Sequence, residues 1–225
     1  MSANLAHPDF IGQYVVSGKS HFYAVTRMEL DRGGHSAARV LASFEIQPGR
    51  FILTISFSQE IAQYAPFEAG MQMLGLYGTN ADRSPYDAAR VEAMIRLFDV
   101  AGICGVDKAV LDGLAMLKHN AAALFKNRIV WALPDAYEAV AAMPGVIARR
   151  CADIGPVLGL ECHAGEGLHV DSREWALEES DSGTLLLSSR SARVQPLLRL
   201  DTGVKGRIVN APCHCGNRDW LVTLE

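Results

Sequence analysis

Between residues 50 and 150 the sequence alternates short apolar runs with segments of helical periodicity, and this alternation restricts the fold more than any other feature. The runs RFILTISF, AGICGV and RIVWAL predict buried strands. Helices are predicted between them, and the clearest begins at Ser84 as N-cap with Pro85 in the first turn. Strands that alternate with helices form sheets covered by helices. We therefore predict an α/β fold over about residues 1–154, with a mixed, largely parallel sheet flanked by helices.

The two ends of the sequence carry different patterns. QYVVS and HFYAVT predict a pair of strands around a GKS turn, and residues 27–44 predict a helix interrupted by Gly33 and Gly34. After Gly155 the predicted strands, such as GTLLLSS and WLVTL, are short and separated by Gly, Asp and Ser. This part, about residues 155–225, is predicted to form a smaller β-rich subdomain that shares one folded unit with the preceding part.

Composition restricts the partners and the compartment. The net charge is −4 and the isoelectric point about 6.0, so neither nucleic acid nor an anionic membrane surface is an expected partner. The first ten residues lack the pattern of a signal peptide, and no apolar stretch approaches the ~18 residues of a membrane span. We expect a cytoplasmic protein, in which the five cysteines are reduced or bind metal rather than form disulfides.

Near the C-terminus the segment PCHCGN places Cys213 and Cys215 two residues apart. This loop is too tight for a relaxed disulfide, but two thiolates at this spacing can bind one metal ion. The segment ECHAGEGLH adds Cys162 and His169 at the ends of predicted strands. Zinc prefers four sulfur and nitrogen ligands in a tetrahedron, so these four residues could form a closed structural zinc site. The spacing is equally compatible with free thiols near the surface.

Other polar residues in this region have simpler interpretations. His163 and His214 are neighbours of the candidate cysteines, and in an extended segment adjacent side chains point to opposite faces. The acidic cluster of Glu166, Asp171 and Glu174, together with His169, is predicted to lie on a solvated strand edge and turn.

The motifs of the last third resemble a known enzyme family. IGPVLGLECHAGEGLH, then GTLLLSSRSARVQPLLRLDTGVKGRI and PCHCG, resemble the phenylacetate–CoA ligase family of acyl-adenylate-forming enzymes. In that family the corresponding runs read close to IGPG…EC…DGLH, GELV…T…PLLRYRTGD and PCPCG. Upstream, VVSGKSHFYAVTRMELD resembles the phosphate loop and the strand after it, and FEAGMQMLG resembles a helix preceding the next strand. The resemblance covers most of the sequence.

The resemblance implies an adenylate-forming core, in which a carboxylate is joined to AMP and the acyl group then passes to coenzyme A. It places the four candidate ligands, Cys162, His169, Cys213 and Cys215, where some members hold zinc. Members of the family are longer than this chain. The resemblance therefore implies that the chain lacks the segment before the phosphate loop and the mobile C-terminal domain.

The groups that handle the nucleotide in this family are mostly replaced. The phosphate loop is reduced to a GKS turn containing Lys19, and Ala152 stands in place of the glutamate that holds magnesium. Val204 replaces the aspartate that binds the ribose, although valine cannot accept hydrogen bonds from hydroxyl groups. Only Lys19, Arg199 and Asp201 remain as weak catalytic candidates. ATP with magnesium, and coenzyme A, are therefore doubtful cofactors.

We interpret the chain as a degenerate relative of these ligases that lacks adenylation activity by itself. It would act as a zinc-stabilised binding or assembly module, would form a homodimer or bind a partner protein, and could hold an acyl or CoA-type ligand. One alternative is a subunit of an acyl-CoA ligase completed in trans, which would use Lys19, Arg199 and Asp201. A second alternative is a redox sensor based on its thiols and zinc.

Overall fold

The computed structural model describes residues 7–225, and its first element is a separate β-hairpin. Strands β1 (Phe10–Val16) and β2 (Lys19–Val25) pair antiparallel with each other and form a two-stranded sheet. Ser17 and Gly18 form the turn with φ angles of 49° and 74°, the left-handed conformation that suits glycine. The predicted strand pair around the GKS turn is confirmed.

Helix α1 (Arg27–Ala42) follows the hairpin and begins with a capping box formed by Thr26 and Glu29. The predicted interruption at the glycine pair is wrong, because the helix is continuous. A Cβ atom placed on Gly34 would lie 2.9 Å from the Cβ atom of Ala69 in the neighbouring helix α2 (Ile61–Met73). The glycines therefore let the two helices approach closely instead of ending the first one.

The central part of the chain alternates strands with helices, as predicted. Its strands form one edge of a sheet with the order β4-β3-β5-β6-β7 and parallel pairing throughout. The elements, in chain order, are β3 (Phe51–Ile55), α2 (Ile61–Met73), β4 (Tyr77–Ala81), α3 (Ala88–Leu97), β5 (Val100–Val106), α4 (Lys108–Met116), α5 (Ala121–Phe125), β6 (Ile129–Ala132), α6 (Tyr137–Ala141) and β7 (Ile147–Ile154).

The last third of the chain forms the other half of the same sheet. Its strands are β8 (Val157–Glu161), β9 (Leu168–Val170), β10 (Trp175–Glu179), β11 (Thr184–Ser189), β12 (Leu200–Val209) and β13 (Trp220–Leu224). They continue from β7 in the order β8-β9-β13-β12-β11-β10 with antiparallel pairing. The sheet is mixed and flanked by helices, as predicted. Parallel pairing is confined to β3–β7, because tight turns such as the one between β7 and β8 allow only antiparallel neighbours.

Trp131 on β6 connects the two halves of the sheet. Its buried ring packs edge-on against Phe44 and Phe67, with centroid distances of 5.1 and 5.9 Å. Its indole N–H donates a hydrogen bond of 2.9 Å to the carbonyl oxygen of Glu161 on β8. Among the described helices, none is long and apolar enough to cross a membrane.

Candidate metal centre and strand-end cluster

The carboxyl ends of the parallel strands form the first candidate site. In open α/β sheets, ligands bind at this edge where the strand order reverses, and here the reversal lies between β3 and β5. Gly105 at the end of β5 has a φ of 92°, and a Cβ atom there would lie 2.1 Å from the carbonyl oxygen of Ile55. Glycine therefore permits the close approach of the two strand ends.

A buried arginine occupies this edge. The Arg83 guanidinium lies 3.2 Å from a carboxylate oxygen of Glu60 and 3.3 Å from one of Asp153. It also contacts the hydroxyl group of Tyr64 and lies 5.2 Å from the centre of that ring. Only 8% of Arg83 is exposed. We call Arg83, Glu60, Tyr64 and Asp153 the strand-end cluster.

Two carboxyl groups share the single guanidinium of this cluster. Burial raises the pKa of Glu60 and of Asp153 above their ordinary values, while Arg83 acts in the opposite direction. One oxygen of Asp153 and the Nε atom of Arg83 are buried without a hydrogen-bond partner. The sequence reasoning missed Arg83 and Glu60, whose only available signal was their position just after β4 and β3.

The second candidate site combines the four residues proposed as ligands from the sequence. Cys162, His169, Cys213 and Cys215 each offer one ligand atom, and these atoms lie within 4.8 Å of one another. The sulfur atoms of Cys162 and Cys213 are 3.5 Å apart, and that of Cys215 is 3.4 Å from Nε2 of His169. All but Cys215 are buried. This four-donor cluster could hold a metal ion.

Strand pairing brings the four donors together although they are distant in sequence. Cys162 directly follows β8, His169 lies on β9, and Cys213 and Cys215 lie in the loop between β12 and β13. Strand β13 pairs with β9, and β9 pairs with β8, so the three segments meet at one end of the antiparallel half.

The two neighbouring histidines lie outside the cluster. His163 and His214 are both exposed, and the His214 ring pairs with the carboxylate of Glu166. Adjacent residues on these segments therefore point in different directions, as the sequence suggested.

Burial raises the pKa of the Cys213 thiol well above its usual range. Side-chain hydrogen bonds with Cys215, Cys162 and Glu166 raise this pKa further, whereas a backbone hydrogen bond from Cys215 lowers it. A metal ion binds thiolates and must displace these protons. Without an ion, the Cys213 thiol consequently holds its proton at neutral pH.

The loop that carries the two C-terminal cysteines is anchored to helix α1. The backbone N–H of Asn217 donates to the Cys215 sulfur, and the Asn217 side chain accepts from the backbone of Asp219. The Asp219 carboxylate in turn accepts hydrogen bonds of 2.7 Å from the Ser36 hydroxyl and from Arg39. This chain of contacts holds the cysteine loop at a fixed distance from α1.

The prediction of a solvated acidic edge is wrong for three of its four members, since His169 is buried as well. Asp171 and Glu174 are buried, with exposures of 7% and 6%. Glu174 forms ion pairs with Arg32 at 3.0 Å and with Arg193 at 2.7 Å. Arg32 lies on α1 and Arg193 lies in the loop after β11. Both segments are distant in sequence from Glu174, so no local pattern predicts these ion pairs.

The three weak catalytic candidates do not form one site. Lys19 is exposed at the start of β2, and a carboxylate oxygen of Asp201 accepts a hydrogen bond of 2.9 Å from the backbone of Gly203. Arg199 forms an ion pair with Glu178 on the surface. The hairpin turn does meet the Asp201 segment, because a Cβ atom on Gly203 would lie 3.2 Å from the Ser17 hydroxyl oxygen.

Comparison with known proteins identifies the fold. No protein-family model matches the sequence, and the search of curated proteins gives no match. Among solved structures, 2-hydroxyisobutyryl-CoA ligase in complex with 2-HIB-AMP and CoA is similar, with a TM-score of 0.73 and 16% identity over 99% of this chain. The N-terminal subdomain of Klebsiella oxytoca NpsA, in complex with anthranilyl-AMSN, has a TM-score of 0.52 and 14% identity over 96% of this chain.

At these identities the similarity establishes the fold, which is that of adenylate-forming ligase domains. This chain spans about half of each protein, 53% of the 2-hydroxyisobutyryl-CoA ligase and 59% of the NpsA subdomain.

Proposed function

We propose that this protein is a zinc-stabilised binding or assembly module built on an adenylate-forming ligase fold, without adenylation activity by itself. The strand-end cluster is the observation that carries this proposal. Arg83 lies at the edge where open α/β sheets bind their ligands, and its charge is already engaged by Glu60 and Asp153. A nucleotide phosphate there would meet two carboxyl groups, and the charge of Arg83 is already shared between them.

The replacements in the ligase motifs also argue against adenylation activity. Ala152 cannot bind magnesium, and Val204 cannot accept hydrogen bonds from a ribose. The motif pattern favours the phenylacetate–CoA ligase branch of the fold, and we treat residues 1–225 as one degenerate core with an α/β part and a β-rich, zinc-binding part.

Zinc is the ion that best suits the four-donor cluster. Three thiolates and one imidazole are typical ligands of structural zinc, with Zn–S distances of ~2.3 Å. In a tetrahedron of that size the ligand atoms are roughly 3.5–3.8 Å apart, close to the 3.5 Å between Cys162 and Cys213 and the 3.4 Å between Cys215 and His169. All four positions would be filled by protein atoms, which leaves none for a catalytic water.

Two measurements test the proposal. Elemental analysis of purified protein should find one zinc ion per chain. Calorimetry with ATP and magnesium should show no saturable binding, and a pyrophosphate-release assay with short and aromatic carboxylates should show no turnover. Saturable ATP binding together with pyrophosphate release would overturn the absence of adenylation, whereas a metal-free protein would overturn the zinc assignment alone.

A subunit completed in trans remains the alternative that one observation favours, namely the contact between the hairpin turn and the Asp201 segment. If a second polypeptide supplied the missing groups, the activity of the mixture should fall after Lys19→Ala. If the activity of the mixture is the same with Lys19→Ala, Lys19 is not a catalytic residue of that complex. The redox alternative requires the 3.5 Å pair Cys162 and Cys213 to form a disulfide, so a zinc ion retained in mild oxidant would exclude it.

For the assembly role we propose self-association through the outer face of the hairpin. Ile11, Val15 and Phe22 lie on this face, with exposures of 67%, 58% and 73%. The hairpin is a two-stranded sheet of its own, and its other face already packs on the core. Sedimentation should detect a homodimer that Phe22→Ser weakens, while a concentration-independent monomer would contradict this part of the proposal.

A further inference from the structure

Strand β4 forms one edge of the sheet and lacks the features that keep edge strands unpaired. Within residues 7–225 it pairs only with β3, and the opposite edge of the sheet is β10. Strand β10 ends in two exposed glutamates, Glu178 and Glu179, and charged side chains on an edge oppose pairing with another chain. Strand β4 reads YGTNA and contains neither a charged residue nor proline. Of the two edges, β4 is therefore the one that can accept a further strand.

The outward side of β4 presents free backbone groups. The Tyr77 N–H and the Ala81 carbonyl oxygen form hydrogen bonds of 2.9 and 3.2 Å with the backbone of the two residues that flank β3. Because backbone groups alternate in direction along a strand, those of Gly78 and Asn80 point away from the sheet. Both residues are exposed. Two N–H and two carbonyl groups are thus available to a further strand.

A groove of about 370 Å³ runs along this edge, between β4 and helix α2. A Cβ atom on Gly78 would lie 3.3 Å from the methyl carbon of Met71, so glycine keeps this side of the strand open. A strand edge beside a wall of helical side chains is an arrangement that accepts an extended peptide. The groove is lined by three residues of α2 and three of β4, namely Glu68, Met71, Gln72, Gly78, Thr79 and Asn80.

Glu68 gives the groove a charge that the described chain does not neutralise. Its side chain is half-buried, and burial raises the pKa of its carboxyl group with no cation opposing the effect. The half-buried Glu92 on α3 differs, because it pairs with Arg96 at 3.1 Å. A carboxylate on the wall of a groove attracts a partner with the opposite charge.

We propose that the β4 edge binds an extended segment of a partner protein, which adds to the sheet as a further strand and places a lysine or arginine against Glu68. Backbone hydrogen bonds with Gly78 and Asn80 would hold the segment, and the charge of Glu68 would select it. A second copy of β4 suits the edge less well, because antiparallel pairing about a two-fold axis would bring the two Glu68 carboxylates towards each other. This surface is separate from the zinc ligands and from the hairpin, so the proposal depends on neither.

Titration of the full chain with three peptides, followed by amide shifts in NMR spectra, tests the site. The first is acetyl-Thr-Val-Thr-Lys-Thr-Val-Thr-amide, which combines strand-forming residues with one central cation. The second has glutamate in place of the lysine, and the third has proline in place of both valines and cannot complete the hydrogen-bonded ladder. The lysine peptide should shift the amides of Gly78 and Asn80 saturably and bind at least about tenfold more tightly than either of the others.

Two variants separate the charge from the backbone contacts. Glu68→Lys should reverse the preference, so that the glutamate peptide binds about tenfold more tightly than the lysine peptide. Asn80→Pro removes one outward N–H and should weaken the lysine peptide by at least about tenfold, while the fold is kept because proline is tolerated on an edge strand where the N–H faces solvent. The matched control is Glu138→Lys, since Glu138 lies on α6 outside the groove and its side chain is 88% exposed.

Three outcomes would overturn the proposal. The first is the absence of saturable shifts at Gly78 and Asn80 with the lysine peptide up to about 10 mM. The second is equal affinity of the wild type for the lysine and glutamate peptides, which would remove Glu68 from recognition. The third is a dimer, detected by sedimentation, that Asn80→Pro abolishes, which would assign the edge to a second copy of the chain.

Discussion

The strand-end cluster and the four-donor cluster are both polar and largely shielded from solvent, yet they differ in the charges that the chain itself supplies. In the first, Arg83 meets the carboxyl groups of Glu60 and Asp153, so opposite charges come from the chain itself. In the second, the donor atoms meet one another and Nδ1 of His169 has no partner. The first cluster contains its own cation, although two of its polar atoms lack hydrogen-bond partners, whereas the second has donors that suit an added metal ion.

The two clusters distinguish polar groups that stabilise the fold from polar groups that the ligase reaction would require. An edge of a parallel sheet that binds phosphate must offer uncommitted donors and positive charge. Here the positive charge at that edge is committed to protein carboxyl groups. The four-donor cluster instead joins β8, β9 and the loop before β13, segments on which the antiparallel half depends.

The largest effect is expected from loss of the metal. Cys213→Ser should reduce the zinc content from one ion per chain to near zero and lower the free energy of unfolding by at least about 4 kcal/mol, since structural zinc contributes apparent values of ~10–16 kcal/mol in small domains. Urea unfolding with parallel elemental analysis measures both quantities. Chelation of the wild type should reproduce the loss, and a fully stable metal-free protein would show that the four-donor cluster does not depend on a metal ion.

The second largest effect is expected at Arg83. Arg83→Met should lower the free energy of unfolding by about 3 kcal/mol, the low end for breaking a buried ion pair, because it leaves the partly buried Glu60 and Asp153 without their cation. Zinc content should stay unchanged, since the two clusters are separate. Adding Glu60→Gln and Asp153→Asn to Arg83→Met should recover most of the loss. A triple variant that is less stable than the single one would show that the cluster is not held by charge.

The sequence predicted the four-donor cluster because its signal is local and chemical. Cys213 and Cys215 are two residues apart, Cys162 and His169 are seven apart, and few side chains other than these types bind zinc. Only the pairing of β13 with β9 was needed to bring the two halves together. The strand–helix alternation was equally visible, because each buried strand is a continuous apolar run.

The strand-end cluster was not predictable in the same way. Arg83 and Asp153 are 70 residues apart, and each alone looks like an ordinary surface residue in a loop or at a strand end. The burial of Arg83 depends on its contacts with Glu60 and Tyr64 at the start of α2, which no local pattern encodes. The prediction that the glycine pair interrupts α1 failed for a related reason. Gly34 contacts Ala69 and Gly70 on α2, and a contact between two helices is not visible in the local sequence.

A smaller effect is expected where the cysteine loop is anchored to α1. Although burial acts to raise it, hydrogen bonds from Ser36 and Arg39 lower the pKa of Asp219 below its usual 3.8. The ionised carboxylate therefore stabilises the fold at pH values above 3.8, and its contribution is lost as the pH falls through the lowered pKa. Asp219→Asn should reduce the free energy of unfolding by about 1–3 kcal/mol at pH 7.

The pH dependence identifies the cause of the Asp219 effect. Because the wild-type carboxylate becomes protonated, the difference between wild type and Asp219→Asn should shrink as the pH falls below 3.8. Asp99→Asn is the matched control, since Asp99 pairs with Arg50 but its side chain is 72% exposed. That variant should change stability little at any pH. A difference for Asp219→Asn that does not shrink at all between pH 7 and about pH 3 would indicate a packing effect instead of a charge effect.

The smallest effect is expected at His214. A lack of effect there is informative because His214 lies between two of the proposed ligands. Its side chain is 86% exposed and pairs with Glu166, so it has no contact that the core requires. His214→Asn should keep one zinc ion per chain and an unchanged melting temperature, whereas His169→Asn should lose the ion. If His214→Asn also released the metal, the ligand set would have to include His214, and the four-donor cluster would not be the closed site that distinguishes it from the strand-end cluster.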